Sequence, residues 1–490
     1  MHKCGDMGLQ QQLAEYFNFD ELGTDLRTEV VAGITTFLTM SYIVIVNPSI
    51  LAVAIVNGPG PDIGRSLPEV QQMIAVVTLI SAAVATLVMA LYAKRPFGQA
   101  PGLGLNAFFA FTVVLGLGVP WNTALAAVVV EGIVFMLLTV AGAREYVIKL
   151  FPEPVKFAVG GGIGLFLAII GLEAMRVVAS DPATYVQFSP VFAQDPVAVL
   201  SVVGLFLTFM LYARGVPGSI VFGILGTSVL GWIVSTLGYS AYAVPDDAGF
   251  VLADASLSPA LDTLTYSAAG YDITPLVGAF VSGFSNVDAF AFALIVFTFF
   301  FVDFFDTAGT LVGVSQVAGF LDEDGNLPDI DRPLMADAIG TTVGGILGTS
   351  TVTTYIESAA GVEEGGRSGM TALVIAVLFV FSLAAVPLAA AVPIWASHIA
   401  LVAIAVLMLR NLVDIDWADY TNAVPAGLTI LVMPFTYSIA YGIAAGIVSY
   451  PLVKVAAGEY DDVRPGHWVL AAAFVAYFFV RTGGVLGGAL

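Results

Sequence analysis

Cysteine is all but missing. Cys4 stands alone in 490 residues, so the chain can close no internal disulfide and build no thiolate metal centre. Three histidines are too few to suggest a zinc site, and nothing in the sequence calls for a cofactor or a metal. Positive charge is scarce as well: 16 Lys and Arg stand against 37 Asp and Glu, for a formal net charge of −21. A nucleic-acid partner is excluded, because phosphate contacts need bases. Once the apolar runs are set aside, no soluble domain of useful size is left over.

What is present is hydrocarbon. The chain is 58% hydrophobic and 11% charged, with a mean hydropathy of +0.94, the composition of an all-α polytopic membrane protein. Residues 1–22, MHKCGDMGLQQQLAEYFNFDEL, lack the apolar centre of a signal peptide and look like an amphipathic surface helix. The first span is then expected to direct insertion. The acids gather in joints, as in VPDDAGF (244–250), LDEDGNLPDID (321–331) and EYDDVRP (459–465). With a pI near 4.2, they suggest a halophilic protein adapted to a salty cytoplasm.

Apolar runs between polar joints predict seven spans at 29–50, 70–92, 102–118, 121–141, 155–174, 196–212 and 217–237. After an acidic loop at 238–289, seven more follow at 290–315, 333–347, 350–362, 370–390, 393–409, 423–435 and 438–456. A weaker run at 467–480 is left unassigned between crossing, dipping into the membrane and packing alongside. With a cytoplasmic N-terminus, thirteen of the sixteen bases fall inside, Arg65 and Arg176 fall outside, and Arg481 is ambiguous. An odd span count per half points to a 7+7 inverted repeat, the plan of many secondary transporters. SIVFGI (219–224) and SIAYGI (438–443) open the seventh span of each half.

Two spans depart from helix chemistry. GQAPGLGLNAFFAF (98–111) carries helix breakers at Pro101, Gly102 and Gly104, and GTSTVTTYIESAAG (348–361) carries a Thr/Ser/Val run that favours extended backbone. Lipid satisfies no exposed N–H or C=O, so such segments must be buried in protein or line a cavity. Residues 99–105 and 349–355 are expected to pair as short antiparallel strands near mid-membrane. Each would lead into a half-helix starting near Asn106 or Glu357, and together they would frame a site for a small polar solute.

Intramembrane acids mark ion or substrate paths. In VFTFFFVDFFDTAGTLVG (296–313), helical spacing gathers Asp303, Asp306, Thr307, Thr310 and Gly313 on one face, opposite Phe301, Phe305, Ala308 and Val312. Glu357 adds a third carboxylate with almost no intramembrane base beside it, so the site is expected to exchange a proton with solvent. Glu131 and Asp337 are expected to be buried with function and packing equally open, and His398 to be a packing histidine.

Four stretches carry a likeness: FNFDELGTDLRTEVVAGITTFLTMSYIVIVNPSIL (17–51), FGQAPGLGLNAFFAF (97–111), FVDFFDTAGTLVGVSQVAGFLDEDG (301–325) and GTSTVTTYIESAAGVEEGGRSG (348–369). Through them the sequence resembles the nucleobase:cation symporter-2 family, in its adenine/guanine/hypoxanthine permease branch. The resemblance implies the uracil-permease fold and no enzyme activity. It implies a core domain (29–141 and 290–390), a gate domain (142–237 and 391–457), a cytoplasmic segment 1–28 and a C-terminal segment 458–490. By motif match it implies that Asp303, Glu357, Asn106 and Tyr355 hold the base and that Phe108 stacks on it. Asp303, Glu357 and Asp306 would couple a proton, with sodium as the other candidate cation. The implied setting is the plasma membrane, with a homodimer left open. Adenine, guanine and hypoxanthine are the implied substrates; xanthine or uracil on the same fold is the alternative, and an inorganic anion is disfavoured by Glu357.

Overall fold

Backbone that lipid cannot hydrogen-bond must close its own ladder, and most of this chain does so as helix. The structure, a computed structural model, describes residues 9–142, 151–181, 184–243, 256–259, 268–285, 287–322 and 327–482. Cys4, VPDDAGF, Lys3, Arg144 and Lys149 lie outside the described residues, as do residues 323–326 of the second acidic joint. Among the described residues, ten helices are long and apolar enough to cross a membrane, accompanied by two shorter apolar helices, Leu103–Gly116 and Pro465–Ala476.

An N-terminal helix α1 (Leu9–Tyr16) lies against the first joints, its Tyr16 hydroxyl donating to the Leu91 carbonyl at 3.0 Å. The first crossing is split into α2 (Leu26–Met40) and α3 (Ile43–Asn57), with Ser41 and Tyr42 between them. Next come α4 (Leu67–Val88), β1 (Gln99–Pro101), α5 (Leu103–Ala107), α6 (Trp121–Val140) and α7 (Glu153–Ala174). A small hairpin of β2 (Val178–Asp181) and β3 (Tyr185–Phe188) precedes α8 (Pro196–Ala213) and α9 (Ser219–Thr236).

The second half runs through α10 (Ala289–Ala318), α11 (Asp331–Leu347), β4 (Val352–Thr354), α12 (Ser358–Glu363) and α13 (Gly369–Ser382). It ends with α14 (Ile399–Met408), α15 (Tyr420–Thr436), α16 (Ile439–Ala457) and α17 (Pro465–Thr482). The run left unassigned in the sequence is thus α17, which packs on α16.

The helices pack in two groups. In one, α2 and α4 pack on α13, α6 packs on α10 and α11, and α11 also meets α4. In the other, α7 packs on α14, α15 and α16, and α8 pairs with α9. Small residues bring α8 and α9 close: a Cβ at Gly204 would collide with the Thr227 hydroxyl, and one at Gly223 with that of Thr208.

Two polar devices fix ends that apolar packing would leave open. Glu29, buried on α2, accepts from the backbone N–H groups of Arg367, Ser368 and Thr371 at 2.9–3.1 Å and from the Thr371 hydroxyl at 2.5 Å, satisfying the free amides at the start of α13. Arg176 and Asp195, both fully buried, pair at 3.1 Å, and Asp195 also caps α8 through the Val197 N–H.

Candidate functional site

The site grows from a short ribbon where two crossings are interrupted. α11 ends at Gly348, whose φ of 106° suits glycine and turns the chain into the extended Thr/Val run. β4 there pairs antiparallel with β1, matching Gln99 to Thr354, Ala100 to Thr353 and Pro101 to Val352. Gly102 N–H donates to the Thr351 carbonyl and Tyr355 N–H to the Gly98 carbonyl, each at 3.0 Å. The Thr86 hydroxyl on α4 both donates to the Gln99 carbonyl and accepts from its N–H, again at 3.0 Å. The β1–β4 ladder and these bonds pair much of the backbone at the break within the protein.

The pairing is narrower than 99–105 with 349–355, because the chain is already helical from Leu103. Asn106 therefore sits within α5 rather than at its start.

A crevice of about 550 Å³, counting the open solvent at its mouth, lies beside the ribbon. Tyr42, the chain from Gly102 to Leu105, Asp306, Thr310 and the segment Thr353–Glu357 form one wall. Ile163 on α7 and Ile404 and Met408 on α14 form the other. The crevice thus lies between the two packing groups.

Within it, the Tyr42 hydroxyl donates to Glu357 Oε1 at 2.6 Å, which orients the carboxylate. Thr39 Oγ1 reaches the Glu357 carbonyl at 3.4 Å. The Tyr355 hydroxyl donates to the Pro101 carbonyl at 2.5 Å, locking its ring, and the Tyr42 and Tyr355 rings lie with centroids 6.4 Å apart. The arrangement offers carboxylate acceptors, aromatic surface and apolar cover, the chemistry that holds a flat heterocycle bearing N–H groups.

Of the sequence candidates, Glu357, Asp306 and Tyr355 meet at this crevice; Asp303, Asn106 and Phe108 do not. Successive helix residues differ in direction by about 100°, so Val302, Asp306 and Thr310 face the crevice while Asp303 and Thr307 turn behind β4. Asp303, fully buried, meets the Thr341 hydroxyl at 3.4 Å. Asn106, also fully buried, accepts a short hydrogen bond from the Ser350 hydroxyl and so ties α5 to the chain entering β4. Phe108 packs edge-on against Phe299 at 4.8 Å and lines a separate hollow with Thr112, Leu294 and Tyr441. His398 is buried with Nδ1 2.9 Å from the Ile394 carbonyl.

Sequence reasoning passed over Tyr42. Its signal was a polar Ser41–Tyr42 pair within an apolar run, the place where the first crossing breaks.

The family model Xan_ur_permease, described as a permease family, matches residues 27–445. Guanine/hypoxanthine permease PbuG of Bacillus subtilis (strain 168) is 38% identical, over 94% of this chain and 98% of its own length. Adenine permease AdeP of Escherichia coli (strain K12) is 36% identical, over 95% and 96%. Among solved structures, the transmembrane domain of a cyanobacterium bicarbonate transporter, BicA, superposes with a TM-score of 0.55 over 86% of this chain and 97% of its own, at 17% identity, a likeness of fold alone. These relatives are permeases and not enzymes. The chain belongs to the nucleobase:cation symporter-2 family, in its adenine and guanine/hypoxanthine permease branch, and is a multi-pass membrane transporter.

Proposed function

We propose that the protein imports purine nucleobases, namely adenine, guanine and hypoxanthine, across the plasma membrane in symport with a cation, a proton before sodium. The observation that carries this reading is the crevice itself, where Glu357, Asp306, Tyr42 and Tyr355 converge between two packed groups of helices. Glu357, held from one side by Tyr42, accepts from the N–H edge of the base. Tyr355 and Tyr42 cover its faces, Asp306 meets its far edge, and the amides at the start of α5 approach its acceptors.

Asp303, behind β4, acts in coupling rather than contact, while Asn106 supports the ribbon. Carboxylates that change charge as the base binds would link loading to movement of a core (29–141, 290–390) against a gate (142–237, 391–457). Fourteen crossings in a 7+7 inverted repeat, with the N-terminus in the cytoplasm, complete the proposal. Its support is the pairing of β1 with β4, one from each half, and the echo of SIVFGI at the start of α9 in SIAYGI at the start of α16.

The test is uptake of labelled hypoxanthine into proteoliposomes under an imposed pH or sodium gradient, with adenine, guanine, xanthine and uracil as competitors. Competition by xanthine or uracil alone would overturn the purine assignment. Accumulation indifferent to both gradients would overturn symport.

A further inference from the structure

Behind β4, on the side away from the crevice, three fully buried carboxylates come together from three helices: Glu131 on α6, Asp303 on α10 and Asp337 on α11. Glu131 and Asp303 face each other, and Asp337 lies within the electrostatic reach of both. Asp306 and, through the crevice, Glu357 are the other acids nearby. No ion pair among the described residues brings a base to any of them.

Their hydrogen bonding is incomplete. Both oxygens of Glu131, Oδ1 of Asp303 and Oδ2 of Asp337 are buried without a donor. The Thr351 hydroxyl is also fully buried and without a hydrogen-bond partner. Ionised carboxylates only accept, so two that face each other lack a donor until a proton lies between them.

The cluster is also wired to the crevice. Asp337 Oδ1 accepts from Thr307 Oγ1 at 3.0 Å, and Thr307 Oγ1 lies 2.6 Å from Thr353 Oγ1. Thr353 lines the crevice with Asp306 and Glu357. When Thr307 donates to Asp337 and Thr353 donates to Thr307, the Thr353 oxygen keeps a lone pair toward the crevice.

We infer that Glu131, Asp303 and Asp337 form a proton-holding site separate from the substrate crevice, loaded and emptied through the hydroxyls of Thr307 and Thr353. A proton arriving on the Thr353 oxygen releases that residue's own hydrogen to Thr307, which passes its hydrogen to Asp337. Each hydroxyl ends with one hydrogen and the carboxyl gains one. The inference rests on the symport reading above and deepens it, giving Glu131 and Asp337 a role in coupling without contact to the base.

The experiment compares wild type, Glu131→Gln and Thr307→Val in proteoliposomes. It measures hypoxanthine binding, hypoxanthine counterflow without a gradient, accumulation under a pH gradient, and substrate-evoked proton entry followed by a trapped pH dye. Glu131→Gln is expected to bind and exchange hypoxanthine as wild type does, yet to lose concentrative uptake and its pH dependence. Thr307→Val is expected to slow proton entry by roughly tenfold or more with binding unchanged.

Wild-type accumulation and pH profile in Glu131→Gln, or unaltered proton entry in Thr307→Val, overturns the inference. Should Glu131→Gln fail to fold, Asp337→Asn replaces it under the same criteria. Accumulation by wild type under a sodium gradient but not a pH gradient overturns the proton as occupant. A wild-type protein that binds no purine sinks the proposed function instead, so the two failures are distinguishable.

Discussion

Tyr42→Phe isolates one hydrogen bond at the crevice. The side chain is 2% exposed and its hydroxyl lies 2.6 Å from Glu357 Oε1, while Phe keeps the ring and its packing. A hydrogen bond to a charged group contributes about 1.5–3 kcal/mol, and what Tyr42 supplies to the binding geometry is the orientation of Glu357. Thr39 and the backbone of α12 still anchor the residue, so the carboxylate is freed to swing rather than displaced. If the whole contribution is expressed in binding, the dissociation constant for hypoxanthine rises roughly ten- to 150-fold. Equilibrium binding of labelled hypoxanthine to purified protein measures it, with thermal unfolding as the control for folding. A folded Tyr42→Phe protein whose dissociation constant stays within about twofold of wild type would refute the reasoning, since no interaction of that strength could then be spent on the site.

Other outcomes follow from the same geometry. Glu357→Ala should abolish purine binding in the same assay while the protein remains folded. Asp303→Asn should flatten the pH dependence of uptake and leave binding near wild type, because its side chain points away from the crevice. Gly102→Val should weaken binding and lower the melting temperature: even a Cβ there would lie 2.6 Å from Thr353 Cγ2, forcing β1 from β4. Glu29→Ala should destabilise by about 3 kcal/mol or more, since it strips buried amides at the start of α13 of their acceptor, seen as a shift in the denaturation midpoint. At the exposed start of α15, hydrogen bonds from the Thr421 hydroxyl and N–H hold the Asp419 carboxyl below the ordinary carboxylate range. A folded value below the unfolded one contributes stability above about pH 4 that is lost as pH falls through the folded value. The melting-temperature gap between wild type and Asp419→Ala should therefore close in acid.

The boundary between what was legible and what was not runs through particular residues. Membrane embedding, the helical class and the family were legible, because hydropathy accumulates along the chain and the motifs around Asp303 and Glu357 are local strings. The break at residues 348–361 was legible for the same reason, since Thr-rich extended sequence has no place in lipid. The direction of each acid was not. Asp303 and Asp306 lie three residues apart and shared one face in a helical projection, yet one borders the crevice and the other faces Glu131. Tyr42 and Glu357 are separated by 315 positions, and no periodicity links them.

The sequence by itself determined that this chain must live in a bilayer, must hide two unwinding segments within protein, and has acids there with almost no bases to answer them. Only the tertiary structure decided which acids look into the crevice and which look at each other. That choice depends on which helix stands opposite a given side chain, and the packing of segments hundreds of residues apart is a property no local pattern carries.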